Sequence, residues 1–384
     1  MDSESQSILK TNQNTESNIY YDKLNLKPSK KLFYFIIIMI LTLKFTIVYI
    51  NRERFIISKN GKKIKTIKTK KPNINKIESE VLDFEEFTQD IYEKYQKFQK
   101  DFCRYFDQIS VKKYDKKLRI SEVDFLTKKF YMVVYKSEDA VSNTITYSKF
   151  WEDTETKNLL KVLYHYSTKN NLKAQDIFVL DIGSNIGWYT FFLGKFGYNV
   201  ISFEPSNVNN YILKRNYCLN RELNVTLVKR GLYTEEKHCD FYISRGNIGD
   251  GWIFCDNNTN IPNHLVKTGQ TRLTKLSNYL NFLSDKNLAL IKIDVEGCES
   301  KVFEGGIEIL SKYHIPYIFL EFSPQSLIDH GTNPREFLQI FENTGYKFLS
   351  NNFLDDQYLT IDYIIQNTHN FMNLYIVHSN MISY

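Results

Sequence analysis

The first residues that could do chemistry form a turn that opens with an acid. The turn reads Asp181-Ile-Gly183-Ser184-Asn185-Ile-Gly187. Its glycines would let a ligand approach the backbone closely, and the helix predicted from Trp188 would offer free N–H groups at its start. Asp181 occupies the first glycine position of the dinucleotide fingerprint, where a carboxylate would repel a pyrophosphate. The turn therefore favours a ligand with a cationic sulfonium group over NAD or ATP.

A second acid, Glu204, ends the next predicted strand and is followed by Pro205. It lies 23 residues after Asp181, near the spacing at which Rossmann-like folds place a carboxylate on ribose hydroxyls. Alone, Glu204 could as well be a surface residue that caps a strand. Together with the turn, it predicts a ribose-binding acid.

A third group of acids follows a later predicted strand in the run Lys292-Ile-Asp294-Val-Glu296-Gly-Cys-Glu299, and Glu321 ends the strand after it. Open α/β sheets bind ligands at the carboxyl edge of their strands. Acids there could serve as a general base toward a hydroxyl, as ligands for a hard cation, or as acceptors that hold the loop backbone. We expect Asp294 or Glu296 to be the base, with Glu321 as the next candidate.

The pattern around these motifs alternates between strand and helix, which predicts a doubly wound, mostly parallel sheet in an α/β fold. Strand-like runs cover 176–183, 199–205, 224–233, 288–297 and 315–324. Helical stretches cover 188–196, 207–219, 273–283, 298–310 and 334–343. Residues 238–270 lack a helical period and predict a hairpin insertion, whose Trp252 could stack on a sugar ring. Residues 346–377 should supply antiparallel closing strands.

The three acidic blocks resemble the FkbM family of S-adenosylmethionine-dependent methyltransferases. That family has a strand ending D-x-G-[AS]-N-x-G, a second ending E-P and a later K-[IV]-D-[VI]-E-G-x-E, which stand here at 181–187, 204–205 and 292–299. Residues 319–321 are similar to its fifth strand, and the resemblance covers about residues 140–350.

The resemblance implies a Rossmann-like class I methyltransferase that transfers a methyl group from S-adenosylmethionine to a hydroxyl oxygen, often on a sugar or small metabolite. It also implies which residues bind that cofactor: Asp181, Gly183, Ser184, Asn185 and Gly187 in the turn, and Glu204 at the ribose. No metal is assigned. An NAD-linked oxidoreductase and a catalytically silent membrane scaffold remain alternatives, whereas a glycosyltransferase is disfavoured because no D-x-D motif is present.

Charge and hydropathy predict an N-terminal membrane anchor. Residues 1–75 hold fifteen Lys and Arg against five Asp and Glu, a net charge of +10. Because the whole chain has a net charge of +6, the remaining 309 residues sum to about −4. The positive charge thus lies outside the catalytic region, and a nucleic acid is not the expected partner. Residues 32–50 are mostly apolar with a single charge, Lys44, and are long enough for a single transmembrane helix. No alanine precedes residue 140, so a cleavable signal peptide is disfavoured.

The expected organisation is a polar tail at 1–31, the transmembrane helix at 32–50, a basic linker and amphipathic stem at 51–130, and the methyltransferase domain at 131–384. An aromatic seam from Ile77 to Tyr105 predicts a helix that docks on its neighbour or, alternatively, a coiled-coil stalk. Lysines flank residues 32–50 on both sides, and sequons stand at Asn224 and Asn257. An endomembrane location is expected, while the orientation, the oligomeric state and the acceptor, a glycan or a small molecule, stay open.

Overall fold

The computed structural model describes residues 46–50, 53–57, 63–64, 86–106, 116–255 and 261–382. The chain divides into two compact units, residues 1–73 and 74–384. In the first unit the described residues form three antiparallel strands: β1 (Thr46–Ile50), β2 (Glu53–Ile57) and β3 (Lys63–Ile64).

The predicted transmembrane helix at 32–50 lies outside the described residues except at its last five. There the helix prediction is wrong, because Thr46–Ile50 pairs with Glu53–Ile57 as a strand. Four of these five residues are β-branched, which favours a strand. Within the described parts of the chain, no helix combines the length and the apolar character that a membrane span requires.

The second unit contains the remaining elements. Its helices are α1 (Gln89–Phe106), α2 (Ala140–Ser148), α3 (Asp153–Lys169), α4 (Trp188–Lys195), α5 (Asn207–Leu219), α6 (Leu280–Ser284), α7 (Glu299–Glu304), α8 (Glu308–Ser311), α9 (Pro324–Asp329), α10 (Pro334–Asn343) and α11 (Ile361–Asn367). Its strands begin with β4 (Leu118–Phe125), β5 (Lys128–Tyr135), β6 (Ile177–Ile182), β7 (Asn199–Phe203), β8 (Val225–Val228), β9 (Gly231–Tyr233) and β10 (Lys237–Ser244). They continue with β11 (Asn247–Phe254), β12 (Leu265–Lys275), β13 (Asn287–Ile293), β14 (Tyr317–Phe322), β15 (Tyr346–Leu349), β16 (Tyr358–Leu359) and β17 (Met372–His378).

The central sheet has eight strands in the order β16-β15-β17-β14-β13-β6-β7-β8. Strands β14, β13, β6, β7 and β8 are parallel, and β17 and β15 are antiparallel to their neighbours. The predicted doubly wound sheet with antiparallel closing strands is confirmed. Its strand order differs from the usual dinucleotide-binding order, because the antiparallel β17 lies between β14 and β15.

The chain reverses its direction of winding between β6 and β13, which are neighbours in the sheet. Such a switch point opens a crevice beyond the carboxyl ends of the strands. The inner strands have apolar side chains on both faces: Val179 and Leu290 belong to one core cluster, and Leu180 and Ile291 to the other. Burial on both faces explains their continuous apolar sequences.

The predicted hairpin insertion is a larger structure than expected. Strands β10 and β11 form the hairpin, and β12 and β9 extend it to a four-stranded sheet in the order β11-β10-β12-β9. The predicted helix at 273–283 is therefore wrong over its first three residues, which end β12; only residues 280–284 are α-helical. This sheet packs Phe241, Ile253 and Leu273 beside the carboxyl ends of the central strands.

Two other predictions need correction. The helix expected at 298–310 is broken into α7 and α8 at Gly305-Gly306, where added Cβ atoms would lie 2.0 Å from the Tyr233 oxygen and 2.8 Å from the Leu276 Cβ. In the tail, residues 361–367 form helix α11 rather than a closing strand. Thr360 starts this helix because its hydroxyl accepts a hydrogen bond from the Tyr363 N–H.

Helix α1 docks on the rest of the second unit, as its aromatic seam predicted, while residues 77–85 of the predicted helix lie outside the described residues. Phe87, just before the helix, and Tyr95 within it are buried in the core. The Gln99 side chain bonds the Val225 oxygen at 2.8 Å and the Leu227 N–H at 2.7 Å, so it fixes the helix against the edge strand β8. A disulfide between Cys103 and Cys218 joins α1 to α5.

Candidate active site

Four of the predicted site residues occupy one row at the carboxyl edge of the central sheet. In the register, Ile182 pairs with Phe203 and Ile293, and Ile293 pairs with Leu320. The residues that directly follow these partners are Gly183, Glu204, Asp294 and Glu321. Because neighbouring parallel strands end together, residues far apart in sequence meet at this edge.

The glycine turn passes directly over the loop that follows β13. Gly183 has a φ of +75°, and an added Cβ atom would lie 1.8 Å from the backbone oxygen of Asp294. The Asp294 N–H donates to the Ile182 oxygen at 3.1 Å. Only glycine satisfies both the backbone angle and the contact.

Two predicted turn residues, Gly187 and Asp181, pack inside the protein and line neither of the clefts described below. An added Cβ atom on Gly187 would lie 2.6 Å from Phe191 and Leu213, so this glycine permits close packing of α4 and α5. Asp181 is 1% exposed and accepts a hydrogen bond from the Thr190 hydroxyl at 2.5 Å. Burial raises the pKa of Asp181.

Glu204 connects the two loops that follow β6 and β7. Its carboxylate accepts the Asn185 N–H at 2.8 Å and the Ser206 N–H at 2.8 Å. Burial raises the pKa of Glu204 to about 8 despite these bonds. The loop-holding role and the predicted cofactor role are compatible, because each oxygen has a second lone pair and Glu204 also lines a cleft.

A second buried acid, Glu299, bonds the backbone of the loop that follows β13. Glu299 accepts the Val295 N–H at 3.0 Å and the Gly297 N–H at 3.3 Å. Glu296, between them, has a φ of +53°, an unusual conformation for a non-glycine residue that often marks a functional position. Asp294 and Glu296 thus lie in this loop and not on the strand itself.

Two clefts open at this edge of the sheet. The first, called the Glu204 cleft, has an empty volume of about 590 Å³; its distinctive lining residues are Phe203, Glu204, Leu232, Gly251 and Ile253. The second, called the Glu152 cleft, has an empty volume of about 700 Å³; its distinctive lining residues are Trp151, Glu152, Tyr189, Lys292 and Glu321. They share a wall made of Gly183, Asn185, Asp250, Asp294 and Glu296.

Lys292 is the one basic residue that lines either cleft in the described chain. Its side chain is 7% exposed, and its Nζ donates to the Asp294 Oδ2 at 3.2 Å and to the Gly183 oxygen at 3.2 Å. Burial alone would lower the pKa of Lys292, but the charges of Asp294, Asp181 and Glu152 raise it above its ordinary value. Lys292 therefore stays cationic and orients the Asp294 carboxylate.

The other acids of the site hold protons more tightly than usual. The charge of Asp294, together with burial, raises the pKa of Glu321 to about 8. Burial, with a further contribution from Asp294, raises the pKa of Glu296 well above its ordinary value. Carboxyl groups this close titrate as a set, so the site can take up and release a proton near neutral pH.

Glu152, Asp250, Tyr189 and Lys292 are site residues to which the sequence analysis gave no role. Glu152 lies just before α3 with a φ of +45°, and its carboxylate accepts a hydrogen bond from the Tyr189 hydroxyl. Asp250 is in the predicted insertion, at which the sequence pointed instead to Trp252. That ring is 8% exposed and packs on Phe254 and His330, so its predicted sugar contact is wrong. Lys292 could have been identified from the sequence, because it is the first residue of the motif at 292–299.

The shared wall offers unused acceptor atoms to a ligand. The Asn185 Oδ1 and the Asp250 Oδ1 are buried and have no hydrogen-bond partner among the residues that the structure describes. Both are oxygens, and their residues line the same two clefts as Asp294 and Glu296. This donor-poor, acidic wall fits a cationic group. Within the described ranges, no three His, Cys, Asp or Glu side chains are arranged to hold a metal ion.

Comparison with protein families bears on this architecture. Residues 181–348 match the model described as the methyltransferase FkbM domain. The predicted resemblance is thereby confirmed for this segment, which contains all of the predicted turn, ribose and acidic-loop residues. A search of curated proteins found no match to the chain.

Several solved methyltransferase structures align with part of this chain at low sequence identity. The bifunctional kinase-methyltransferase WbdD has a TM-score of 0.33 and 10% identity over 58% of this chain and 39% of its own, so the chain spans about two fifths of its length. The METTL16 methyltransferase domain has a TM-score of 0.35 and 11% identity over 74% of this chain and 93% of its own. Magnesium protoporphyrin IX methyltransferase from Synechocystis was solved with bound S-adenosylhomocysteine. It has a TM-score of 0.31 and 11% identity over 73% of this chain and 99% of its own.

Proposed function

We propose that this protein transfers a methyl group from S-adenosylmethionine to a hydroxyl oxygen of a neutral acceptor, such as a sugar or another polyol. The observation that carries the proposal is the pair of clefts that meet at one acidic wall. Two substrates that occupied them would come together at Gly183, Asn185, Asp250, Asp294 and Glu296. The FkbM-type match over residues 181–348 supports methyl transfer as the reaction.

The Glu204 cleft suits the adenosine part of the cofactor. Phe203, Leu232 and Ile253 supply apolar surface for an adenine ring, and Glu204 supplies carboxylate oxygens for ribose hydroxyls. The free Asn185 and Asp250 oxygens and the acidic wall suit the positively charged amino and sulfonium groups. When bound, S-adenosylmethionine supplies an electrophilic methyl group.

The residues of the chain then have two tasks. The first is alignment, because displacement at a methyl carbon requires the acceptor oxygen to lie in line with the sulfur. The second is removal of the hydroxyl proton as the new bond forms. Asp294 lines both clefts and is oriented by Lys292, so we assign it as the base. Glu321 acts on Asp294 through the negative charge that it gains as pH rises through about 8.

The charge of the Glu152 cleft selects the class of acceptor. Five carboxyl groups line it, from Glu152, Asp250, Asp294, Glu296 and Glu321, and Lys292 is the single basic side chain. Glu321 adds its negative charge as pH rises through about 8. Those carboxyl groups that are ionised would repel phosphate, sulfate and carboxylate groups, which disfavours nucleotides, sugar phosphates and acidic lipids. Carboxylates accept hydrogen bonds from neighbouring hydroxyls well, so a neutral polyol fits best.

A methyl-transfer assay with labelled cofactor tests the proposal. The acceptor panel pairs neutral sugars and oligosaccharides with their phosphorylated or uronic acid counterparts. We expect label on the neutral member of a pair and at least tenfold less on the charged one. Preference for the anionic member would contradict the acceptor class.

A further inference from the structure

The pairing of the cysteines bears on the compartment in which this protein folds. The sequence contains five cysteines. Four of them form two disulfides, Cys103–Cys218 and Cys239–Cys255, and the fifth, Cys298, is 2% exposed. Every cysteine of the chain is therefore paired or buried.

The first disulfide joins two helices that other contacts already hold together. Cys103 on α1 and Cys218 on α5 are separated by 115 residues, with their Cα atoms 5.3 Å apart. Gln96 and Gln99 fix α1 to β8 through hydrogen bonds to Thr226 and Val225. The cysteines are thus brought to bonding distance by the fold itself.

The second disulfide has an equally well-defined position. Asp240 pairs with Phe254 across the β10–β11 hairpin, so Cys239 and Cys255 are the next opposed residues. Their Cα atoms are 4.7 Å apart, within the usual range for a disulfide. The bridge closes the hairpin whose Asp250 and Ile253 line the clefts.

Two separate disulfides and no accessible thiol are typical of a protein that folds in an oxidising compartment, since the cytosol keeps thiols reduced. We infer that residues 86–382 mature inside the secretory pathway and that Asn224 carries an N-linked glycan there. Asn224-Val225-Thr226 is an acceptor sequon. This inference selects the lumenal orientation that the flanking lysines leave open, and it does not depend on the proposed reaction.

Asn224 can carry a glycan without disturbing the fold. It is exposed, whereas Val225 and Thr226 are buried, and the Thr226 hydroxyl accepts a hydrogen bond from Gln96 at 2.6 Å. Asn224 precedes β8 and so lies at the amino end of a strand parallel to β7. The clefts lie at the carboxyl ends, on the opposite edge of the sheet.

Thiol counting tests the compartment. The full chain, expressed in eukaryotic cells from its own sequence with no added leader, is denatured without reductant and labelled with a maleimide that adds mass. We expect one label per chain, on Cys298, and five after reduction. Five labels before reduction would overturn the inference. Because denatured protein is counted, the outcome does not require an active enzyme.

A mobility-shift experiment tests the glycan. Asn257→Gln first removes the only other sequon, and the mobility of this chain is compared before and after digestion with an N-glycosidase. We expect one mobility step that Asn224→Gln abolishes. The matched control Thr226→Ser, which keeps a sequon, should retain the step. Absence of a step in the Asn257→Gln chain, or its persistence in Asn224→Gln, would overturn the assignment.

Discussion

A Cβ atom added to Gly183 would lie 1.8 Å from the backbone oxygen of Asp294. The glycine turn after β6 and the acidic loop after β13 are therefore in direct backbone contact. The contact sets where Asp294 stands on the wall that the two clefts share. The cofactor turn and the assigned base thus form one rigid unit.

Gly183→Ala should disrupt this unit. The new methyl group would force the two loops apart, and we expect S-adenosylhomocysteine binding to weaken by at least 100-fold in calorimetry. Gly331→Ala is a matched control, because Gly331 has a φ of +73° and no atom within 4 Å of an added Cβ. That variant bears the same backbone strain and should bind normally. Equal binding by both variants would argue against the contact.

Asp294→Asn should separate catalysis from cofactor binding. The amide cannot take up the hydroxyl proton, and a general base contributes about 10²–10⁴-fold to the rate. We expect kcat to fall by about 100-fold or more while the Kd for S-adenosylhomocysteine changes by less than about threefold. The exposed Asp356→Asn serves as the control. A rate for Asp294→Asn like that of the unmodified protein would remove the base assignment.

The activity should rise with pH and level off above about 8. The pKa of Glu321 is raised to about 8 by the Asp294 charge and burial, so Glu321 loses its proton in this range. Its added negative charge then acts on the assigned base, Asp294. In Glu321→Gln we expect the inflection in kcat/KM near pH 8 to disappear, with a lower plateau. An unchanged pH profile would show that Glu321 does not control the base.

The stability of the folded protein should fall as pH rises, whereas the activity should increase. Folding raises the pKa values of Glu204 and Glu321 to about 8 and that of Glu299 to about 7. The folded protein therefore keeps protons that the unfolded chain releases near pH 4.5, and their stabilisation is lost as pH rises through 8. We expect the melting temperature of the ligand-free protein to fall between pH 6.5 and 8.5, less steeply in Glu321→Gln. A melting temperature that rises over this interval would contradict these shifts.

Lys292→Met should destabilise the site. Removal of the cation leaves the neighbouring carboxylates of Asp294, Asp181 and Glu152 uncompensated. Breaking a fully buried pair costs about 3–5 kcal/mol, and we expect a smaller loss here because the Asp294 side chain is 34% exposed. The free energy of unfolding by urea measures the loss. The double variant Lys292→Met, Asp294→Asn should recover part of it, since one of the repelling charges is gone. Additive losses in the double variant would show that the two side chains do not interact.

The sequence predicted most of the sheet because its signals are local. Residues 207–219 and 334–343 are helices with the predicted bounds, since N-caps at Ser206 and Asn333 fix where each begins. The row of Gly183, Glu204, Asp294 and Glu321 was also foreseeable, because parallel strands end at a common edge. Helix 273–283 failed, since its first residues complete strand β12 by pairing with β9 and β10.

The remaining site residues depend on long-range packing. Glu152 reaches the cleft because α3 starts beside Tyr189, and nothing in the sequence around Trp151 indicates that neighbourhood. Asp250 is brought in by the hairpin sheet, whose placement depends on contacts with Val295 and Cys298. The pairings Cys103–Cys218 and Cys239–Cys255 likewise follow from the fold, since five cysteines without a spacing motif allow many combinations.

The most direct test of the account is equilibrium binding of S-adenosylmethionine, S-adenosylhomocysteine and NAD to the purified protein by calorimetry. The acidic wall predicts saturable binding, one ligand per chain, for the two sulfur compounds and none for NAD. Binding of NAD in their place, or no heat from either sulfur compound, would contradict the claim that these clefts hold a sulfonium donor.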